Sequence, residues 1–435
     1  MSLSHHRWPA LLCGLIFVLV SCSAQISAPE SETDALWVCT NIGFSQETII
    51  AVFKDQYPDT ALKFTDLSPG PTSHISAEEQ KSRLLSLRTE IMAGKGPDLF
   101  LWNTLDVTTE ESLFPDLQKS MRAGIFLDLA PLLEARDDWN PDDYQQAVLR
   151  AGMVEDSLYL YPLYYKPPTI LLTAETAARL PADAPIFALE RCGEWASWAA
   201  AQGKALNADY VQADGYWDMM AAPMLDYERR QAALTNPLFA KLALVPGQGV
   251  SADSLPSFIN GDAISFSSHF FRQIAAVLFS EEHDVDTVFC PVYSEEGTLN
   301  ACVNIGVGIR RNTRHTQSAL NFLLLLLKPY LQAGGEYRLA DGKNLLDTFP
   351  LSRASIPIRT DCLSDWMLNL LGPDASPGSS VNSLVSCAEA VTAARLQDAC
   401  MAEIVSSLQS AQAEGRRPSD VFADLNERWN VYVTE

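Results

Sequence analysis

Between Leu36 and Trp102 the apolar pattern switches back and forth between two periods, and this alternation is what most narrows the folds open to the chain. Leu36 to Thr40 (LWVCT) reads as a strand. Ser45 can cap a helix that places Ile49, Ile50, Phe53 and Tyr57 on one face and that Pro58 stops. Leu62, Phe64 and Leu67 suit a second strand. Residues 78–93 form another amphipathic helix, with Leu84, Leu85, Leu87, Ile91 and Met92 inward and Gly94 as its C-cap. Leu99 to Trp102 then reads as a third, buried strand. Strands alternating with helices in this way predict an α/β fold with a parallel sheet covered by helices. In such sheets ligands bind beyond the carboxyl ends of the strands, where Asn41, Trp102 and Asn103 stand.

The rest of the chain carries similar signals. Gly124 to Leu133 reads as a short strand and turn, Tyr144 to Met153 as helix, and Leu158 to Tyr165 as extended. Ser254 to Ile259 is a short helix, Val303 to Ile309 a strand, and Thr316 to Leu327 a helix. The apolar run Leu323–Leu327 is too short to span a bilayer and ends before Pro329. Two helices around Gly415–Pro418 close the chain. At 435 residues it exceeds one ordinary core, so two or three lobes are expected.

The formal charge of −23, without a basic patch, argues against nucleic acid as a partner. Arg7 followed by the apolar run Leu11–Val20 fits a secretory signal peptide. Its end, Leu19-Val20-Ser21-Cys22, resembles the bacterial lipobox, which implies cleavage of residues 1–21 and lipid attached to Cys22. Residues 22–34 are then the lipidated cysteine and a polar tether, spanning about 40 Å if fully extended. This places the folded body outside the cell membrane, anchored to its outer face. Seven of the nine cysteines lie beyond Cys22 at irregular spacings. Pairing of Cys290 with Cys302, or of two among Cys362, Cys387 and Cys400, is one reading; buried free thiols are the other.

Several motifs now occur in a telling order. Gly96-Pro97-Asp98-Leu99-Phe100-Leu101-Trp102 comes first, followed by Gly124-Ile125-Phe126-Leu127-Asp128-Leu129. Asp156-Ser157-Leu158-Tyr159-Leu160-Tyr161-Pro162, Phe258–Ala263, Ser318–Leu327 and Phe349–Arg353 follow, and Asn426–Glu435 closes the series. Behind a lipobox, this succession resembles the extracellular solute-binding lipoproteins of ATP-binding-cassette sugar importers, family 1, the group that includes maltose-binding protein. The resemblance covers nearly the whole mature chain, although each motif alone is weak. It implies a type II periplasmic-binding-protein-like fold: two hinge-linked α/β lobes around a central cleft. The N-terminal lobe would comprise 35–165 and about 294–340, and the C-terminal lobe about 166–293 and 341–435. It further implies a monomer that takes a carbohydrate and passes it to permease subunits, with no cofactor and no metal.

Sugars present flat apolar faces edged by hydroxyls, so aromatics beside amides and charges are the side chains to seek. By the resemblance Trp102 is the leading candidate, the other reading being a core tryptophan capping the sheet. Asn103 and Asn41 share its strand ends, and Tyr165 precedes the crossover. Phe270, after Ser268 and His269, falls where the maltose-binding member has a stacking tryptophan; Tyr216 and Trp217 fall where the second lobe supplies an aromatic. Lys166 departs from the pattern, since the maltose-binding member has a carboxylate there. A cation in that place suits an anionic sugar, or it extends to solvent. Arg353 is a second candidate cation near a crossover.

No catalytic signature stands out. G-x-S-x-G, H-E-x-x-H and the phosphate-binding loop motif are all absent, and His74, His269, His283 and His315 are dispersed. The alternatives to a binding protein are a surface lipoprotein hydrolysing glycans with dispersed carboxylates, or a sensor or scaffold of the same fold.

Overall fold

The computed structural model describes residues 34–42, 46–68, 77–105, 112–179, 187–188, 192–201, 203–204, 223–237, 239, 254–263, 265–266, 270–294, 297–335, 337–342, 344–345, 355–372 and 378–435. Residues 1–33, with the expected signal peptide, Cys22 and most of the expected tether, lie outside this set, as do Tyr216, Trp217, Ser268, His269 and Arg353. Phe270 begins a helix, but its side chain is also outside the described set.

Seven strands form the first sheet among the described residues. They are β1 (Leu36–Thr40), β2 (Leu62–Asp66), β3 (Leu99–Asn103), β4 (Tyr161–Lys166), β9 (Asn300–Ile309), β10 (Ile356–Pro357) and β11 (Ala393–Arg395). The second sheet holds β5 (Thr169–Thr173), β6 (Phe187–Ala188), β7 (Ser265–Phe266) and β8 (Thr287–Tyr293). The first sheet runs β10-β4-β9-β3-β1-β2, with β11 also on β9; the second runs β7-β5-β8-β6. β1 pairs in parallel with both β2 and β3, as the alternating periods predict, whereas β9 is antiparallel to β3 and β4.

Helices cover these sheets through the residues their periods bring to one side. In Gln46–Gln56 the buried face is Ile49, Val52 and Phe53, and the Phe53 ring lies 5.5 Å from that of Phe322. Phe322 belongs to helix Thr316–Leu326, whose run Phe322–Leu326 is buried throughout. Each such leucine contributes roughly 1.5–3 kcal/mol by leaving water, which explains an apolar run with no membrane role. No helix among the described residues is long and apolar enough to cross a membrane. A separate apolar cluster joins Met224, Leu225, Leu234 and Phe239 to the terminal helices Met401–Glu414 and Pro418–Thr434.

The turn at Gly94–Asp98 shows why its residues are as they are. Gly94 and Gly96 both take positive φ, +72° and +91°, which side chains resist. The Arg310 guanidinium donates to the carbonyls of Gly94 and Pro97 at 2.7 and 2.8 Å and to Asp98 Oδ1 at 3.2 Å. Asp98 also accepts from Thr313 Oγ1 at 2.6 Å and from the Trp37 amide at 3.0 Å. Both partners are largely buried, so each charge depends on the other.

Three expectations need correction. Gly124–Leu133 contributes only an isolated bridge at Phe126 and then a helix, Ala130–Glu134, because Pro131 suits a first helical turn. Helix in Tyr144–Met153 shrinks to Gln146–Leu149 and a 3-10 turn. There Gly152 packs against the Leu160 carbonyl, where a Cβ would come within 1.7 Å of its oxygen. In the helix Ala77–Met92, Leu85 and Met92, expected inward, are exposed, at 52% and 89%. The short strands β10 and β11 complete the first sheet.

Of the two cysteine readings, the described residues show free thiols at Cys39, Cys290, Cys302, Cys362, Cys387 and Cys400. Cys290 and Cys302 lie in different sheets, so they are not placed to pair. Burial pushes the Cys290 and Cys362 thiols up to about 12, which keeps them protonated and unreactive.

Asp98→Ala leaves Arg310 charged and unpaired in the interior, and should cost about 3–5 kcal/mol of unfolding free energy in a denaturant titration. A loss below about 1 kcal/mol would show that the ion pair does not hold the turn.

Candidate functional site

Where the chain changes sheets, it does so in short passages. Pro167-Pro168 separates β4 from β5, residues 294–299 separate β8 from β9, and residues 390–392 separate helix Ser379–Glu389 from β11. The last two are tied together, since Leu299 N donates to Thr392 Oγ1 and Thr392 N to the Leu299 carbonyl, both at 3.1 Å. All three passages enter the first sheet at one level. Cys302 of β9 stands directly opposite Lys166 of β4 on one side and Arg395 of β11 on the other. Opposed residues share a sheet face, so two cations flank a buried thiol.

The two cations differ in their surroundings. Arg395 pairs with Asp398 at 3.5 Å, and that carboxylate also accepts from the Met224 amide at 3.2 Å. Burial pushes the Asp398 carboxyl above its ordinary value despite the arginine. Lys166 is half-buried and has no hydrogen-bond or ionic partner among the described residues. Burial lowers its pKa below the ordinary lysine value, with Cys302 acting in the opposite sense.

Beside Lys166 the β9 ladder is interrupted. Val303 pairs with Tyr165 and Ile305 with Tyr164, leaving Asn304 as the extra residue of a bulge. Its Nδ2 donates to Ser355 Oγ at 2.6 Å, and Ser355 immediately precedes Ile356, the partner of Tyr165 on the opposite edge of β4. The Asn304 amide therefore reaches across β4. Asn304 and Ser355 are 5% and 0% exposed, and Asn304 Oδ1 has no donor among the described residues. An orphaned buried carbonyl costs about 1–3 kcal/mol.

The residues singled out from the sequence fall into different roles. Trp102 is the last residue but one of β3 and is only 2% exposed, with its ring edge-on to Phe114 at 5.4 Å. Phe100, Phe114 and Phe126 complete this aromatic cluster, so Trp102 presents core packing here rather than an open stacking face. Tyr165 is likewise buried, between Val303 and Ile356, and burial drives its phenol well above the usual range. Asn41 clamps the end of β3: its Oδ1 accepts from the Asn103 amide at 2.7 Å and its Nδ2 donates to the Asn103 carbonyl at 3.3 Å. Asn103 is less buried, and its Oδ1 accepts from Leu105 N at 3.1 Å. Lys166 thus stands at the passages, and Asn304 and Ser355 join it there. The sequence signal for Asn304 was an amide interrupting the apolar run Ala301–Ile309. Ser355 carried none.

No family model and no curated protein matches this sequence. Solved structures do match in fold. An extracellular solute-binding protein family 1 member from Alicyclobacillus acidocaldarius superposes with a TM-score of 0.60 at 14% identity, covering 92% of this chain and 98% of its own. The sugar-binding protein MalE of Xanthomonas citri gives 0.61 at 13% identity over 92% and 97%. An ABC substrate-binding protein from Listeria monocytogenes, solved in complex with cycloalternan, gives 0.54 at 11% identity over 92% and 98%. The chain therefore has the periplasmic-binding-protein-like fold of these solute-binding proteins over nearly its whole length.

Burial of an unpaired lysine has a definite consequence for stability. Between the lowered folded pKa and the ordinary unfolded value, the unfolded chain binds more protons, so this residue makes stability rise with pH. Lys166→Met should stabilise the ligand-free protein near neutral pH, with the gain over wild type shrinking as pH approaches 10. Thermal melts across that range check it; a destabilised variant with a pH-independent difference would contradict the burial argument.

Proposed function

We propose that this protein is an extracytoplasmic substrate-binding lipoprotein that captures a carbohydrate between its two sheet-centred halves and hands it, unaltered, to an ATP-binding-cassette permease. The observation that carries this reading is the fold, shared over 92% of the chain with proteins described as sugar-binding or solved with an oligosaccharide. Three short passages at one level of the first sheet support it as well, because they suit a hinge. Closure about such a hinge is driven only by a ligand that binds the closed form more tightly than the open one. The ligand must therefore touch both halves.

In this reading the protein works as a monomer without cofactor. Lipid on Cys22 holds it to the outer face of the membrane, and the polar tether lets it reach its permease. Phe270, Tyr216, Trp217, Ser268, His269 and Arg353 remain proposed ligand contacts, together with Asn103 and Lys166. Trp102, Asn41 and Tyr165 act on the ligand only if opening uncovers them.

Calorimetric titration with a panel of oligosaccharides should give saturable binding at one site per chain, and the bound sugar should be recovered intact by chromatography. Product formation at catalytic rates would overturn the binding role in favour of a glycan hydrolase. Separately, Cys22→Ser should move the protein from the membrane fraction to the soluble fraction; persistence with the membrane would refute lipid anchoring.

A further inference from the structure

We propose that the level at which the three passages meet recognises an acidic group on the carbohydrate, a uronic-acid carboxylate, through Lys166 with Asn304 and Ser355 beside it. This rests on the carbohydrate-binding reading above and narrows its ligand class.

Three observations carry it. First, Lys166 is a half-buried cation without a carboxylate partner among the described residues, in a chain with a formal charge of −23. In a protein with so many acidic residues, pairing would have been the easy solution, and Arg395 at the same level shows it with Asp398. Second, the Asn304 amide is 5% exposed and half satisfied. Amide oxygen and nitrogen are interchangeable by a flip of the side chain. With Ser355 Oγ–H donating to Oδ1, the Nδ2–H group is freed as a donor for a ligand oxygen. Third, strand alternation places Ser355 and Lys166 on one face of the sheet, since their neighbours Ile356 and Tyr165 are paired.

An ammonium and an amide N–H together match a carboxylate, which needs donors and a compensating charge. A neutral hydroxyl uses the amide but leaves the lysine's buried charge uncompensated. The same groups placed deep between the halves would favour the closed form for an acidic ligand, because the charge gains most where water is excluded.

The test uses the intact protein and uronic-acid disaccharides of several linkages, each titrated beside its carboxyl-reduced neutral counterpart. An acidic disaccharide should bind at least 10-fold more tightly than its neutral partner. Lys166→Met should weaken acidic binding roughly 10- to 100-fold, the range expected for a charge-assisted hydrogen bond, and so remove most of the preference for the acidic over the neutral partner. Lys166→Arg should retain most of the acidic preference. Tighter binding of the neutral partners overturns the acidic assignment while leaving carbohydrate capture intact, as does an unchanged acidic affinity in a folded Lys166→Met protein. Preference for sugar phosphates over uronates overturns the carboxylate assignment. Failure of every sugar to bind overturns the carbohydrate reading and this inference with it. The acidic-versus-neutral contrast on the unaltered protein decides the matter even where a variant does not fold.

Discussion

The ion pair between Asp98 and Arg310 sets the frame in which everything else is placed. Asp98 immediately precedes β3 and Arg310 immediately follows β9, so their contact joins the end of one strand to the start of another. The Trp37 amide adds β1 to the same knot. A strand's side chains alternate between faces, and β9 is buried along its whole length, so a slip of one residue would set every one of its side chains against the wrong covering layer. Pinning Ile309 opposite Leu99 prevents this and fixes by count what stands further along: Gly306 beside Trp102, then Asn304, then Cys302 between Lys166 and Arg395.

β9 is also shaped by what it lacks. Gly308 lies under Phe126, where a Cβ would approach the ring to 2.7 Å, and Gly306 lies under Leu160. These close approaches let the aromatic cluster around Trp102 pack down on the strand. The price is a tryptophan committed to the core. The bulge at Asn304 interrupts the ladder just after the chain has come from the second sheet, and it turns a polar amide toward Ser355 instead of a ladder partner. Rigid packing on one side and an interrupted ladder on the other are what a hinge requires. Local openings follow weak pairing, not strong cores.

Much of the architecture was legible in the residues. The strands and helices between Leu36 and Asn103 follow from hydrophobic period and breakers alone, because both are local properties. Long-range pairings were less legible. β10 and β11 are only two and three residues long, so they carry no periodic signal, and their place in the first sheet depends on edges offered by β4 and β9. The site was legible in part: Lys166 stood out because its charge type departed from expectation, whereas Trp102 looked the same as a binding residue and as a core residue. Side-chain identity cannot report which face of a ring is covered, since that depends on Phe114, which lies outside the strand and meets the ring only after the chain folds back.

The sequence by itself determined an α/β body and a cation at the end of β4, because period, breakers and charge act at short range. It also carried the turn residues Gly94 to Asp98, whose special backbone no other residues suit. Tertiary structure alone decided that Asp98 pairs with Arg310, that Trp102 is sealed into the aromatic core, and that Lys166 has no ionic partner among the described residues. Those outcomes turn on groups up to some two hundred positions apart in the chain, brought together by the register of one long strand.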